Sequence, residues 1–192
     1  MKDEELHPWL QKMIGGDRDA FHIVYEHTRD HVYRTVGFLA NQKQDILDIA
    51  SEVYIELFKS LPKYDFQQPF RSWFNGLIIR QVHNWNRKLW RKLKLFQRSK
   101  LLETGQVGAN SEDLLLQDEH RQDLFTCVNK LPYKLRVVIV LRYYHEQTLE
   151  EIASLLTIPV GTVKSRHYHA LQKLRKEKVQ LIKNEEASLH VH

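Results

Sequence analysis

Aromatic and basic side chains alternate along the stretch from Phe74 to Leu102, which contains no acidic residue. Its cations are Arg80, Arg87, Lys88, Arg91, Lys92, Lys94, Arg98 and Lys100. Its aromatic members include Trp85, Trp90 and Phe96, and Trp73 directly precedes it. Cations bind phosphates and aromatic rings stack on unpaired bases, so this composition favours contact with a nucleic acid.

A second segment, residues 148–166, has the pattern of a helix-turn-helix. Thr148 and Glu151 can form a capping box, in which a hydroxyl and a carboxylate each satisfy a free backbone N–H. Ala153 is small where a second helix must cross closely, and Pro159 suits the first position of a helix. The second helix would present outward Thr162, Lys164, Ser165, Arg166 and His169. Recognition helices present such residues to the major groove of DNA; a plain helical hairpin with a charged face is the alternative.

Acidic residues recur at intervals of three or four in a predicted helix over residues 45–60. They are Asp45, Asp48, Glu52 and Glu56. Side chains at these intervals share one face of a helix. The resulting acidic stripe suits a basic partner surface, and an ordinary solvated helix face is the alternative.

Other chemistry finds little support in the sequence. His27 and His31 could lie on one helical turn, but no third ligand has suitable spacing and no HExxH motif is present, so no metal is predicted. No glycine-rich phosphate loop occurs, and no spacing brings Ser, His and Asp together as a triad. We therefore predict neither a cofactor nor an enzymatic activity.

Helical periodicity dominates the chain, and the low content of Gly (7) and Pro (5) favours an all-α fold. Helices are predicted over residues 4–14, from 17 onward, over 45–60, from 70 to about 92 or beyond, and over 135–144, 148–156 and 160–182, with another starting near 119. Residues 93–118 lose this periodicity and predict a flexible linker. The predicted organisation is two small helical domains, residues 1–92 and 119–183, with a tail at 184–192.

The sequence favours a cytoplasmic protein. Cys127 is the only cysteine, so no disulfide can form within the chain, which fits a reducing compartment. No apolar run has the length of a membrane span, so we predict no membrane insertion. The N-terminus is acidic where a signal peptide would be basic.

Both halves resemble one protein family. Residues 159–166 (PVGTVKSR), with Leu131-Pro132 and Leu141-Arg142 upstream, are similar to domain four of the extracytoplasmic-function subfamily of sigma-70-type sigma factors. Residues 48–56 (DIASEVYIE) and 70–73 (FRSW) resemble domain two of that subfamily. The two resemblances follow the order of the family, with a linker between them and no third domain.

The resemblance implies a subunit that binds core RNA polymerase and directs promoter recognition, DNA melting and transcription initiation. It implies docking on the beta-prime clamp helices through the acidic stripe, and on the beta flap as a further polymerase contact. It assigns the −35 element to the second helix of the helix-turn-helix, through Thr162, Lys164, Ser165, Arg166 and His169. An anti-sigma factor is a common additional partner in this family.

For the −10 element, the resemblance points to the loop over residues 64–70 and to the basic helix after it. The residues implied are Tyr64, Phe66, Gln67, Trp73, Arg80, Arg87, Lys88 and Arg91. An extruded base needs an aromatic pocket with polar groups for its edge, and Tyr64, Phe66, Gln67 and Gln68 provide both. Trp73 could equally belong to the core.

The chain departs from the family pattern at Ser51, Arg80, Thr157, His167, His169 and Leu171, where Gln, Asn, Gly, Leu, Arg and Arg are usual. We expect these departures to affect which promoter sequence is read and to leave the fold unchanged. Two other classes compete with a sigma factor: a helix-turn-helix regulator that acts without core polymerase, and an enzyme such as a recombinase that carries the same reading helix.

Overall fold

The computed structural model describes residues 3–99 and 119–189, and within these ranges it contains helices and no strand. The chain divides into two compact units, Met1–Glu112 and Asp113–His192. The predicted all-α class with two helical regions is therefore confirmed. No helix of the described ranges is long and apolar enough to cross a membrane.

Unit 1 contains α1 (Asp3–Ile14), α2 (Arg18–Leu39), α3 (Ile46–Ser60) and α4 (Phe70–Ser99), with 3₁₀ turns at Lys43–Asp45 and Leu61–Lys63. Gly16 makes the tight turn after α1 with a φ of 86°, a region open to glycine. Asp17 then caps α2, because its side chain accepts the N–H groups of Asp19 and Ala20 at 2.9 and 3.1 Å.

The core of unit 1 comes from one apolar face of each helix. Fully buried side chains include Leu10, Val24, Val32, Val36, Ile49, Val53, Leu57, Ile78 and Val82. One buried polar contact joins α2 to α3, where the hydroxyls of Thr28 and Tyr54 lie 3.0 Å apart. Burial raises the pKa of Tyr54, so its hydroxyl stays protonated and available as a donor.

Unit 2 contains α5 (Glu119–Lys130), α6 (Tyr133–Ile139), a π-helical turn (Val140–Tyr144), α7 (Leu149–Leu156) and α8 (Val160–Leu189). Helices α6 and α7 both pack against α8. Its buried apolar side chains include Val128, Leu131, Val138, Leu141, Ile152, Val163 and Ala170. The core therefore lies where these helices meet the inner side of α8.

Three element bounds differ from the sequence prediction. Helix α4 continues to Ser99, into the predicted linker, whose remaining residues 100–118 lie outside the described part of the chain. Helix α8 continues to Leu189, through most of the predicted tail. Both extensions are rich in Lys, Leu and Glu or Gln and contain neither Gly nor Pro, so nothing local ends the helix. The single helix predicted over 135–144 is instead α6 followed by the π turn.

Candidate nucleic-acid and partner interfaces

The outer side of α3 carries the predicted acidic stripe. Asp48 and Glu52 are exposed, whereas Asp45 and Glu56 are half-buried. The hydroxyl of Ser60 donates a 2.8 Å hydrogen bond to Oε1 of Glu56. Asp48 and Glu52 are thus the two carboxylates of the stripe that a partner could reach most directly.

Exposed apolar side chains form a second feature of α3, beside the acidic stripe, and the sequence prediction missed it. This apolar ridge consists of Leu47, Ile55 and Phe58, which are 66%, 47% and 45% exposed. The Phe58 ring centroid lies 5.2 Å from that of Phe21 on α2, so the ridge extends onto a second helix. Exposed apolar side chains along one side of a helix are candidates for contact with a protein partner. The signal in the sequence is that these three positions are out of phase with the buried face of α3.

The loop before α4 is built around Tyr64. This ring is only 5% exposed, and its centroid lies 4.7 Å from that of Trp73 and 4.9 Å from that of Phe66. Its hydroxyl donates a hydrogen bond to the carbonyl oxygen of Gln68. Tyr64 therefore supports the loop from beneath, and in this structure its ring is not open to a base.

Phe66 and Gln67 lie on the outer side of the same loop. Phe66 is half-buried and Gln67 is exposed. The backbone N–H of Gln67 donates to Oδ1 of Asp65 at 2.9 Å, which closes a local turn. Trp73 is half-buried, and its ring packs against those of Tyr64 and Phe70. Of the predicted pocket residues, Phe66, Gln67 and Gln68 are the ones the loop presents outward.

The four cations of α4 that were predicted to contact the −10 element lie on its surface. Arg80, Arg87, Lys88 and Arg91 are exposed, and the spacing of the three arginines places them on one face. Trp90 is 68% exposed beside them, which makes it an aromatic ring of α4 that is open to stacking. The side chains of Lys92, Lys94, Phe96, Arg98 and Lys100 lie outside the described part of the chain.

In unit 2, the predicted capping box is present at the start of α7. The backbone N–H of Thr148 donates to Oε2 of Glu151 at 2.7 Å, and the N–H of Glu151 donates to the Thr148 hydroxyl at 3.2 Å. The backbone N–H of Thr148, and then its hydroxyl, lower the pKa of the Glu151 carboxyl. Thr157 ends α7 in the left-handed region, with φ of 55° and ψ of 48°. This conformation explains why a glycine suits that position.

The exposed side of α8 defines the candidate reading surface. Lys164, Ser165 and His169 are exposed there, as predicted, while Thr162 and Arg166 are half-buried at its edge. Tyr168 is 60% exposed one turn after Lys164 and Ser165, and the prediction omitted it. Its signal in the sequence is its spacing from those two residues. A tyrosine at this place can contact a base edge or a phosphate.

An aromatic pair in unit 2 anchors α8 to the π turn. The rings of Tyr143 and His167 are stacked, and the Tyr143 hydroxyl lies 3.1 Å from Nε2 of His167. Burial, and then the positive charge of Arg142, lower the pKa of His167. A neutral His167 can accept the tyrosine hydroxyl hydrogen, so this contact orients the first turns of α8.

Metal binding gains no support from the described residues, which contain no group of three or more potential metal-ligating side chains. His27 Nδ1 lies 2.8 Å from the carbonyl oxygen of Ile23, and His31 Nε2 lies 2.7 Å from Oδ1 of Asn75. The two histidines therefore take part in contacts within unit 1.

Comparison with known families gives two matches in chain order. Residues 24–92 match Sigma-70 region 2, and residues 121–174 match Sigma-70, region 4. The chain is 29% identical over 175 residues to the ECF RNA polymerase sigma factor SigW of Bacillus subtilis (strain 168), covering 88% of this chain and 94% of that protein. This chain belongs to the extracytoplasmic-function subfamily of sigma-70-type sigma factors.

Other comparisons agree. The chain is 26% identical over 168 residues to the ECF RNA polymerase sigma-E factor of Escherichia coli (strain K12), covering 84% of this chain and 87% of that one. Its fold is similar to RpoE of Bartonella quintana, solved with the anti-sigma factor NepR, at a TM-score of 0.64, 17% identity and coverage of 82% and 95%. It is also similar to CnrH, solved with the cytosolic domain of CnrY, at a TM-score of 0.59, 19% identity and coverage of 88% and 94%.

The predicted function is thereby confirmed: the chain is a sigma factor that directs transcription initiation by RNA polymerase, with core polymerase and promoter DNA as its partners. A regulator that acts without core polymerase would not explain the match to region 2.

Proposed function

We propose that unit 1 docks on core polymerase through α3 and engages the −10 element, while unit 2 engages the −35 element through α8. The observation that carries the docking proposal is the pairing of two features on α3, the acidic stripe and the apolar ridge. Apolar side chains at the centre of an interface supply affinity, and charged side chains beside them steer and orient a partner of opposite charge.

The partner surface that fits α3 is basic and carries an apolar groove, and we assign it to the beta-prime clamp helices of core polymerase. Asp48 and Glu52 would supply the charged contacts, with Asp45 and Glu56 at the margin. Leu47 and Phe58 would supply the apolar contacts. The beta flap would contact unit 2, an assignment that rests on the family resemblance alone.

Reversal of two charges tests this docking surface. The variant Asp48→Lys/Glu52→Lys should weaken assembly with core polymerase at least about tenfold, because hydrogen bonds to charged groups contribute about 1.5–3 kcal/mol each. The matched control is Glu26→Lys/Asp30→Lys, an equal charge change on exposed positions of α2. Equal affinity of both double variants, measured by titration with labelled core enzyme, would show that α3 is not the docking surface.

For the −10 element, we assign Phe66 and Gln67 to contact with an extruded base, and Arg80, Arg87, Lys88 and Arg91 to the phosphates. Trp73 and Tyr64 would act from beneath the loop. Trp90 joins this group as a stacking residue, because it is exposed among cations. An exposed ring surrounded by cations suits an unpaired strand better than a protein partner.

For the −35 element, Ser165, Tyr168 and His169 would face base edges in the major groove from the outward side of α8, and Lys164, a flexible point charge on the same side, would hold a phosphate. Thr162 and Arg166 would contact the phosphate backbone from its edge, because both are half-buried. Phosphate contacts set the register of a reading helix, and base contacts set its specificity.

As a binding subunit, the sigma factor would catalyse no step itself and would act in the cytoplasm, where core polymerase works. An anti-sigma factor is a further expected partner, because RpoE of Bartonella quintana was solved in complex with one. The apolar ridge of α3 is a surface that such an inhibitor could cover in competition with core polymerase.

A further inference from the structure

Helix α1 reaches the loop that carries Phe66. It is held in unit 1 by the buried side chains of Leu6, Leu10 and Met13. From α1, the ring of His7 packs against the loop, with its centroid 5.4 Å from that of Phe66 and 6.3 Å from that of Tyr64. The interplanar angles are 85° and 69°, so both contacts are edge-to-face.

The two loop rings are held differently. Tyr64 is buried, packs on Phe70 and Trp73, and is tied to the loop backbone through its hydroxyl. Phe66 is half-buried, and its ring contacts among the described residues are those with Tyr64 and His7. Among the described residues, His7 is therefore the aromatic side chain outside the loop region that packs against the Phe66 ring.

Hydrogen bonding does not explain why His7 lies against the loop. Its Nε2 is buried and has no hydrogen-bond partner among the described residues. A buried nitrogen without a partner disfavours folding. The favourable contribution of His7 therefore comes from the packing of its ring. Aromatic edge-to-face contacts depend on angle as well as distance, which suits a residue that sets the orientation of a neighbour.

We infer that His7 is a positioning residue for −10 recognition: its ring holds Phe66 in the orientation in which the loop discriminates between bases. The inference rests on the proposed −10 role of Phe66. If the Phe66 side chain can change its χ1 rotamer, its ring can stack on any base with similar affinity. A ring that is held in one rotamer favours the base whose shape fits that position. Loss of the His7 ring should therefore reduce discrimination more than overall binding.

The test measures the affinity of full-length sigma factor with core polymerase for pre-melted promoter fragments that carry each of the four bases at each −10 position. His7→Ala should reduce the affinity ratio between the preferred base and the other bases at one −10 position by about fivefold or more. This magnitude lies within the range of coupling energies between contacting residues. His7→Phe should keep the preference, because the aromatic edge remains. His22→Ala, which removes an exposed histidine from α2, should match wild type.

Coupling to Phe66 makes the test specific. Phe66→Ala should lose the same preference, and His7→Ala should add nothing in the Phe66→Ala background. His7→Leu fills the space without an aromatic edge, so it replaces His7→Ala if thermal unfolding shows that the alanine variant is less stable. Loss with Leu and retention with Phe support positioning; equal behaviour of the two, or additive effects with Phe66→Ala, would overturn it.

The proposed function and this inference fail in different ways. If Phe66→Ala keeps full discrimination, the loop does not read the −10 element, and the role of His7 falls with it. If Phe66→Ala loses discrimination and His7→Ala keeps it, the loop reads the base and His7 has no part in doing so.

Discussion

The two units hold their candidate DNA contacts in different ways. In unit 2 these residues lie along the exposed side of one helix, α8, whose start is set by the turn at Thr157 and Pro159. In unit 1 the candidate phosphate contacts lie on α4, whereas the candidate base contacts lie on a loop whose rings pack against α1 and α4 as well as each other. A reading helix can therefore change its side chains with little effect on folding, whereas the loop couples recognition to stability.

A second contrast separates α3 from α8. The exposed side of α3 combines acids with the apolar ridge, and that of α8 combines cations, hydroxyls and a tyrosine. Apolar surface suits a protein partner that excludes water, whereas cations and hydroxyls suit phosphates and base edges. The composition of each face thus indicates the kind of partner it meets.

The difference between the buried Tyr64 ring and the half-buried Phe66 ring of unit 1 predicts the largest effect, a loss of stability. Tyr64→Ala should destabilise unit 1 by about 3 kcal/mol, since it empties a buried aromatic site. Phe66→Ala should cost less than about 1 kcal/mol, because this ring is half-buried. Urea denaturation followed by tryptophan fluorescence reports on unit 1 alone, because all four tryptophans lie there. Similar losses for both variants would contradict the division between a supporting ring and a presented ring.

On α8, the exposed and half-buried positions should differ in what they read. Tyr168→Ala should relax preference at one −35 position by about 1–3 kcal/mol. Arg166→Ala should weaken all sequences alike and lower the salt slope by about one. Selection from a −35 library at two salt concentrations measures both effects. Base-specific loss for Arg166 with uniform loss for Tyr168 would reverse the assignment of the two positions.

Lys164 provides a third variant for the same experiment. It is exposed like Tyr168, but its side chain carries a flexible point charge, which suits a phosphate. We expect Lys164→Ala to behave like Arg166→Ala, with a uniform loss and a lower salt slope. If none of the three variants changes affinity or preference, α8 does not face DNA.

The turn of unit 2 predicts a smaller, stabilising effect. Thr157→Gly should stabilise unit 2 by up to about 1 kcal/mol, because a β-branched residue in the left-handed region is strained. Ser154→Gly, an exposed position inside α7, should destabilise by a similar amount. Hydrogen exchange of α7 and α8 amides measures both. A loss of stability with Thr157→Gly would show that the turn carries no such strain.

The smallest expected effect concerns pH. The pKa of His167 is lowered in the folded state, so the unfolded chain takes up the proton more readily. The stability that this neutral ring contributes is therefore present above the unfolded pKa of about 6.5 and is lost as the pH falls through the folded value. His167→Leu should remove this part of the loss of unit 2 stability between pH 8 and pH 5.

The control for this pH effect is His22→Leu, which replaces an exposed histidine of unit 1. Amide exchange in unit 2 should keep its wild-type pH dependence in that variant. The same steepness in wild type and His167→Leu would show that the Tyr143–His167 contact is not the origin of the effect.

Local signals in the sequence were sufficient for the presence of the helices and the capping box at Thr148, and for the exposure of Lys164, Ser165 and His169 on α8. Capping and periodicity depend on residues three or four apart, which any reader of the sequence can see. Helix α4 extends into the predicted linker, because the loss of apolar periodicity from residue 93 was interpreted as the start of the linker, and α8 extends into the predicted tail. Lysine, leucine and glutamine continue a helix as well as they begin one.

The sequence by itself determined the helical class, the division into two regions and the family, because these depend on short patterns repeated in a known order. Only the tertiary structure decided that Tyr64 lies beneath its loop and that His7 reaches Phe66. The burial of a side chain is set by whatever packs against it. His7 belongs to a helix far from the loop in the chain, so no local pattern contains this contact.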